Sequence, residues 1–147
     1  MLVKTEINEV YQEAFISVNA QKDSVELHVL ADAIREFVNE QNLTGSGRGV
    51  QKIIPIYQII SVHTLGKHVV CETISGTFQL KERIYELRSL LSEKLFLQIS
   101  SSEIVNISQI ANFSLTKNGI YQVNFKNGKF TYASRRYMQK IKKEYFS

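Results

Sequence analysis

The spacing of apolar residues changes along the chain and predicts a helical segment followed by a longer β-rich region. A helix from about residue 24 to 41 is predicted because one of its faces would carry Leu30, Ala33, Ile34, Phe37 and Val38. The form D-x-x-E at Asp23–Glu26 is typical of a capping box at a helix start. Residues 3–7 and 13–18 show the alternation of short strands, so the first segment is predicted to be strand-strand-helix.

From about residue 48 onward, short apolar runs alternate with turn signals, as in an antiparallel β domain. Strands are predicted at residues 50–54, 56–62, 68–74, 77–80, 95–99, 111–115, 120–125 and 129–133. The Asn-Gly pairs at Asn118-Gly119 and Asn127-Gly128 predict tight hairpin turns. Helical spacing predicts a short helix within residues 81–92, and Ser134 is placed to cap a last helix. The predicted fold class is α+β and mostly antiparallel β.

Three glycines in the five residues from Gly45 to Gly49 separate these two regions. The stretch lacks the G-x-x-x-x-G-K-[ST] pattern of a phosphate-binding loop and the helix that follows such a loop. It therefore predicts either a flexible linker or an exposed hairpin turn. We predict two parts on this basis, a small regulatory or dimerisation segment at residues 1–44 and a second domain at residues 48–147.

Charge is distributed along the 147 residues as unevenly as the apolar residues are, and the net value of +4 conceals a gradient. Residues 1–46 hold three basic and eight acidic residues (−5), residues 47–116 seven and five (+2), and residues 117–147 eight and one (+7). Clusters of Lys and Arg release counterions when they meet a nucleic-acid backbone, so the basic end favours such a partner. The alternative is a solvated basic surface without a partner.

Few residues of the chain suggest catalysis. The one cysteine, Cys71, lies in an apolar strand pattern that predicts burial, and it excludes an internal disulfide. The three histidines are not spaced as metal ligands, and paired carboxylates and a nucleophile elbow are absent. No apolar run approaches the roughly 20 residues of a membrane helix. We expect a cytoplasmic protein that is not an enzyme and has no metal or cofactor.

Three motifs occur in a fixed order after residue 53. They are the block FLQISSSEIVN at Phe96–Asn106, a strand pair closed at Asn127-Gly128, and ASRRY at Ala133–Tyr137 before a basic helix. In this order the chain resembles the LytTR family of bacterial DNA-binding domains. It is most similar to free-standing LytTR regulators, in which a short strand-strand-helix segment precedes the domain. In such systems a small integral membrane protein commonly restrains the regulator.

The resemblance implies a β-rich fold whose loops enter successive major grooves on one face of double-stranded DNA. It assigns DNA contacts to Lys67 and His68 in a first loop, to Ser100, Ser101 and Ser102 in a second, and to Arg135, Arg136, Lys140 and Lys143 in a third loop and its helix. Arg136 falls on the family's base-reading arginine, where a bidentate contact with guanine discriminates by roughly 1–3 kcal/mol. The resemblance gives Arg135, Lys140 and Lys143 phosphate contacts.

The second loop departs from the family pattern. Gln98 stands where the family has arginine, and Ser100 and Ser101 replace longer side chains. Serine hydroxyls bind phosphates or bases without charge and with less reach, so we expect a weaker contact from this loop. Glu103 and Asn106 are expected to support the loop, since polar groups in such turns satisfy free amides.

The resemblance as a whole implies a sequence-specific transcriptional regulator that binds direct-repeat promoter sites as a homodimer, under the control of a membrane partner. Two alternatives stay open. One is an RNA-binding β domain, which requires exposed aromatic side chains on a sheet face. The other is an interaction or decoy protein whose acidic segment binds another regulator or a membrane protein.

Overall fold

The structure is a computed structural model that describes residues 1–40 and 42–145. The chain divides into two compact units, residues 1–40 and residues 41–147. The first unit is acidic. The second holds fifteen basic and six acidic residues, a net charge of +9.

The first unit contains one helix, α1 (Val25–Glu40), where the apolar spacing predicted it; the predicted last residue, 41, lies outside the described residues. The helix begins at a cap formed by Ser24, whose Oγ accepts a hydrogen bond from the Leu27 N–H at 3.3 Å. Asp23 contacts His28 instead, with 2.7 Å between Oδ1 and Nε2. The capping residue is therefore Ser24, one position later than the predicted box placed it.

The two strands predicted before α1 are wrong. Residues 3–7 and 13–18 lie outside any strand, and every residue from 1 to 23 is exposed. Alternating apolar residues stabilise a strand only where a neighbouring strand pairs with it and one face is buried. The first segment is therefore an extended stretch followed by a helix, and it is not the predicted strand-strand-helix unit.

A seven-stranded antiparallel sheet, here called the large sheet, forms the base of the second unit. Its strands are β1 (Asn42–Gly47), β2 (Val50–Pro55), β3 (Ile59–Leu65), β4 (His68–Thr73), β5 (Gly76–Leu80), β6 (Phe96–Ser100) and β7 (Glu103–Asn106). Their spatial order is β2-β1-β5-β4-β3-β7-β6, so β2 and β6 form the edges. The helix α2 (Ile84–Leu90) connects β5 to β6, and a short 3-10 turn (Ile56–Gln58) connects β2 to β3.

A three-stranded antiparallel sheet, the small sheet, follows after a second 3-10 turn (Ile107–Gln109). Its strands are β8 (Ile110–Leu115), β9 (Tyr121–Phe125) and β10 (Phe130–Ala133), in the order β10-β9-β8. The last helix, α3 (Arg135–Tyr145), begins directly after β10. The predicted fold class, mostly antiparallel β with short helices, is confirmed for the second unit.

The glycine-rich stretch is a hairpin and not a linker. Gly45 and Gly47 lie within β1, and Arg48 and Gly49 form its two-residue turn to β2 with φ values of 51° and 76°. A Cβ at Gly45 would lie 2.7 Å from the Cβ of Phe78 on the neighbouring strand. Glycine is therefore needed at residue 45 because another side chain takes the space.

Two apolar cores lie on opposite faces of the large sheet. The first packs α2 onto the sheet through residues such as Leu87, Val62 and Ile104. The second packs the small sheet and α3 onto the other face and is formed by Ile60, Ile99, Val105, Val123, Phe125, Ala133, Met138 and Ile141. Cys71 is buried in the first core as predicted, and burial raises the pKa of its thiol to about 12.

Strand β10 crosses the strands of the large sheet and does not run along them. Just before it, Lys129 Nζ bonds to Glu72 on β4. In its middle, Thr131 Oγ1 bonds to Glu103 on β7, and just after it, the Ser134 N–H bonds to Ile99 on β6. Because the large sheet has the order β4-β3-β7-β6, these contacts proceed across it.

Candidate nucleic-acid interface

The structure brings the three predicted loops together at one end of the large sheet. The β3–β4 turn and the β6–β7 turn are joined by a 3.0 Å hydrogen bond from the Thr64 N–H to the Ser102 carbonyl. The start of α3 joins them through the 2.9 Å bond from the Ser134 N–H to the Ile99 carbonyl. We call this surface, formed by the two turns and the first residues of α3, the turn end.

The first turn exposes Lys67 and His68. The imidazole of His68 is held by Gln79 of β5, with 3.0 Å between the His68 Nδ1 and the Gln79 amide nitrogen. Because that amide nitrogen is a donor, Nδ1 accepts, and a neutral ring then carries its proton on Nε2. The contact with Gln79 thereby fixes the orientation of the His68 ring. The Lys67 carbonyl accepts a 3.3 Å bond from Arg83 Nη1, which ties the turn to the start of α2.

The second turn is held by its own serines. The Ser100 Oγ accepts a hydrogen bond from the Ser102 N–H at 3.2 Å and lies 3.2 Å from the Ser102 hydroxyl. Ser101 and Ser102 are exposed, and Ser100 is half-buried. Gln98 donates from Nε2 to the Ser100 carbonyl at 3.0 Å. The glutamine that replaces the family's arginine therefore braces the turn from within the domain.

Helix α3 divides its cations between two sides. Arg136 and Lys140, four residues apart, line one groove beside β6, with a volume of about 240 Å³, together with Gln98. Lys143 continues the same helical stripe. Arg135 is directed the other way, where its Nη2 donates to the Asn118 carbonyl in the β8–β9 turn at 3.4 Å. Arg136 and Lys140 thus lie together beside Gln98, whereas Arg135 contacts the β8–β9 turn.

Of the two residues expected to support the serine turn, only Glu103 lies beside it; Asn106 is buried at the other end of β7 and holds the start of β3 and the second 3-10 turn. The Asn106 amide donates to the Ile59 carbonyl at 2.8 Å, and its Oδ1 accepts from the Ser108 N–H at 3.0 Å. Glu103 accepts a 2.6 Å hydrogen bond from the Thr131 hydroxyl. Burial raises the pKa of the Glu103 carboxyl, and the charge of Glu72 raises it further, while Thr131 and His63 act in the opposite direction.

Three residues near the turn end were not assigned to the site from the sequence. Gln79 and Arg83 hold the first turn through contacts with residues 11 and 16 positions away. Arg88 of α2 lines the groove beside Arg136. Hairpin register and the docking of α2 bring all three to this place.

Over residues 1–40 and 42–145, no three His, Cys, Asp or Glu side chains are grouped as a metal site would require. Within the same residues, no helix combines the length and apolar character needed to cross a membrane. The three described helices are also separated from one another by strands, so no helix-turn-helix occurs in this part of the chain.

Comparison with known proteins identifies the family. The family model of the LytTr DNA-binding domain matches residues 50–145. The structure is similar to a solved LytTr DNA-binding domain of a putative methyl-accepting/DNA response regulator from Bacillus cereus, with a TM-score of 0.67 and 18% identity over 70% of this chain and 94% of that one. This likeness agrees with the fold described above.

Relatives in Staphylococcus aureus match along almost the whole chain. An uncharacterized HTH-type transcriptional regulator of strain MSSA476 is 32% identical over 136 residues, which cover 92% of each chain. A protein of the same description from the bovine strain RF122 is 33% identical over the same length and share. Since the family model, the fold and the ordered motifs agree, the chain belongs to the LytTR family of DNA-binding domains.

Proposed function

We propose that this protein is a transcriptional regulator that reads specific sequences in double-stranded DNA with its turn end. The observation that carries the proposal is the meeting of three separate loops at one end of the large sheet. Residues 65–68, 100–102 and 134–136 are far apart in sequence, and backbone hydrogen bonds from Thr64 to Ser102 and from Ser134 to Ile99 link the three loops. They present cations, hydroxyls and an imidazole on one surface, the groups that contact phosphates and base edges.

Each loop has its own role in this proposal. Arg136 reads a guanine through its guanidinium, and His68 donates from Nε2 to a base acceptor or a phosphate. Lys67, Lys140, Lys143 and Arg135 contact phosphates, and they fix position without reading sequence. The serine turn contributes exposed hydroxyls at Ser101 and Ser102, and its Ser100 hydroxyl supports the turn.

The proposed mode of binding is as a homodimer on direct repeats, with the first unit as the regulatory or dimerisation part. The first unit supports this role because α1 exposes the apolar side chains of Val25, Val29, Phe37 and Val38. We propose that an integral membrane partner binds this unit and restrains the regulator. Sedimentation of the full chain on one-repeat and two-repeat fragments tests the dimer, and independent monomers on two repeats would contradict it.

The decisive variant for the proposed site is Arg136→Ala. We expect it to weaken binding to a promoter fragment from upstream of the protein's own gene by roughly 5–150-fold, because about 1–3 kcal/mol of base discrimination is lost. Binding to scrambled duplex should change much less. Arg135→Ala is the matched control, since it removes a neighbouring cation of the proposed phosphate class. It should weaken both duplexes by similar factors, measured by fluorescence anisotropy at fixed salt.

An RNA-binding function has one observation in its favour. Phe130 and Tyr132 project from the outer face of the small sheet and are 55% and 51% exposed, with ring centroids 5.7 Å apart. Their neighbours on that face are uncharged, with Asn124 bonded to Asn112 and Ser114. Single-stranded nucleic acids usually track a cationic groove, so duplex DNA is favoured.

The same titration compares these functions. Specific duplex, single-stranded DNA and RNA of equal length are measured at several salt concentrations. Tighter binding of RNA than of duplex would favour the alternative, as would a loss of RNA affinity in Tyr132→Ala. A lack of affinity for any nucleic acid would favour the interaction protein.

A further inference from the structure

Two hydrogen bonds flank the serine turn and tie it to the corner between β10 and α3. On the β6 side, the Ile99 carbonyl accepts from the Ser134 N–H at 2.9 Å. On the β7 side, Glu103 Oε2 accepts from the Thr131 Oγ1 at 2.6 Å. Ile99 comes directly before Ser100, and Glu103 directly after Ser102. The turn is thus held on both strands by a segment that leads into Arg136.

The corner held by these bonds also determines where α3 begins. The Ser134 carbonyl accepts the Met138 N–H at 2.9 Å, and the Ser134 Oγ accepts the Tyr137 N–H at 3.4 Å. Any shift of residues 131–134 relative to β6 and β7 would therefore move the first turn of the helix. A displacement of this kind changes the distance between Arg136 and the serine turn.

Glu103 is half-buried, and a partly desolvated carboxylate contributes little to the stability of a sheet interface. Taking a carboxylate out of water costs free energy that one hydroxyl bond offsets only in part, and a well-packed apolar residue is often as stable. The groups that face Glu103 are His63 of β3, opposite it in register, Glu72 of β4, and Lys129, which bonds to Glu72. His63 Nδ1 is itself buried and has no hydrogen-bond partner in the described residues. This polar arrangement points to a role other than stability.

We propose that Glu103 and Thr131 are positioning residues that fix the serine turn and Arg136 at the spacing needed to read one DNA site. The proposal rests on the proposed function, since it presumes that both elements contact DNA. Of the two hydrogen bonds, only the one from Thr131 to Glu103 is made by side chains. A substitution can therefore remove it while the backbone bond from Ser134 to Ile99 remains. Loss of the side-chain bond should therefore loosen the spacing between the reading groups and leave the fold in place.

The test compares Thr131→Val with Thr131→Ser. Valine has nearly the shape of threonine and no hydroxyl, whereas serine keeps the donor. We expect Thr131→Val to weaken binding to the specific promoter fragment on the order of tenfold, the scale of a lost hydrogen bond to a charged group. Binding to scrambled duplex should stay within about twofold, and Thr131→Ser should stay close to wild type on both. Thermal unfolding of each variant is measured alongside.

The carboxylate is tested by Glu103→Leu and Glu103→Gln. Glutamine keeps an oxygen that accepts from Thr131, so it should retain specific binding, whereas leucine should lose it as Thr131→Val does. The double variant Glu103→Leu/Thr131→Val should bind no more weakly than either single variant, because one interaction is lost in each. Equal losses in Thr131→Ser and Thr131→Val, or unchanged specific binding in Thr131→Val, would overturn the positioning role.

Arg136→Ala separates this proposal from the proposed function. If that variant retains specific affinity, the proposed reading site is wrong. If it loses specific affinity while Thr131→Val keeps it, the site stands and the positioning role is wrong. If both lose it, we expect the effect of Thr131→Val to shrink in an Arg136→Ala background, since the group being positioned is gone.

Discussion

The two units of this chain differ in the sign of their charge and in the burial of their apolar side chains. Residues 1–40 carry eight acidic and three basic side chains, and none of their described side chains is fully buried. Residues 41–147 carry a net charge of +9 and surround a sheet with an apolar core on each face. A rigid core keeps like charges in place against their mutual repulsion, as a DNA-reading surface requires. The acidic unit holds one helix, and none of its described residues belongs to either core.

The largest test of this contrast compares a buried and an exposed apolar residue on two helices. Leu87 of α2 is 0% exposed, and Val29 of α1 is 62% exposed. We expect Leu87→Ala to lower the free energy of unfolding by about 2–5 kcal/mol, since it leaves a cavity in the first core. Val29→Ala should change it by less than about 0.5 kcal/mol. Urea denaturation followed by circular dichroism measures both, and similar losses would contradict the contrast.

A second test addresses the charges. Lys140 lies in the basic unit beside Arg136, and Lys22 lies in the acidic unit. Lys140→Ala should weaken binding to specific and scrambled duplex alike and reduce the slope of log affinity against log salt by about one. Lys22→Ala is the matched control and should leave the slope unchanged. A loss of slope in Lys22→Ala would show that the acidic unit also contacts the DNA backbone.

The smallest expected effect concerns the half-buried Glu103 carboxyl, whose pKa in the folded protein is raised above the usual 4.5. Between these two values the folded state binds more protons than the unfolded state, so stability falls as the pH rises. Glu103→Gln removes the ionisable carboxyl, so the variant does not lose stability in this way as the pH rises. Its stability relative to wild type should therefore increase as the pH rises from 4.5 and level off above the raised pKa. Thermal melts of both proteins across this pH range measure the stability difference. A difference between Glu103→Gln and wild type that falls as the pH rises would contradict the prediction.

The sequence predicts the small sheet well because its signals are local. Two Asn-Gly turns define its hairpins, and strand alternation locates β8, β9 and β10 nearly to the residue. The strands β1 and β7 are not predicted, since β1 has the sequence NLTGSG and β7 has only four residues. Both are strands because neighbouring strands pair with them, which is a tertiary effect. The same reasoning explains the absence of the strands predicted in residues 1–23, which have no pairing partner.

The residues of the candidate site likewise fall into those that a local sequence motif predicts and those that only tertiary contacts bring into place. Arg136 and Lys140 follow from a motif, because groups that touch a ligand carry a recognisable pattern. Gln79, Arg83 and Thr131 support the site through contacts between distant elements, and their positions depend on register and on the packing of two sheets. The role of Gln98 is evident only in the structure. The sequence shows that a glutamine stands where the family has arginine, but it does not show that the glutamine side chain bonds to the Ser100 carbonyl.

The oblique course of β10 has a consequence for engineering new DNA specificity. Residues 129, 131 and 134 bond to three different strands of the large sheet. The number of residues between them must therefore match the spacing of those strands. Inserting or deleting one residue within β10 would reverse its faces and bring Phe130 or Tyr132 to the place of Thr131. Transplanting α3 and the serine turn from another LytTR protein should therefore succeed when β10 keeps its length and fail when it does not. The DNA-contacting segments are then exchangeable between LytTR proteins, because β10 keeps them at the same positions relative to the large sheet.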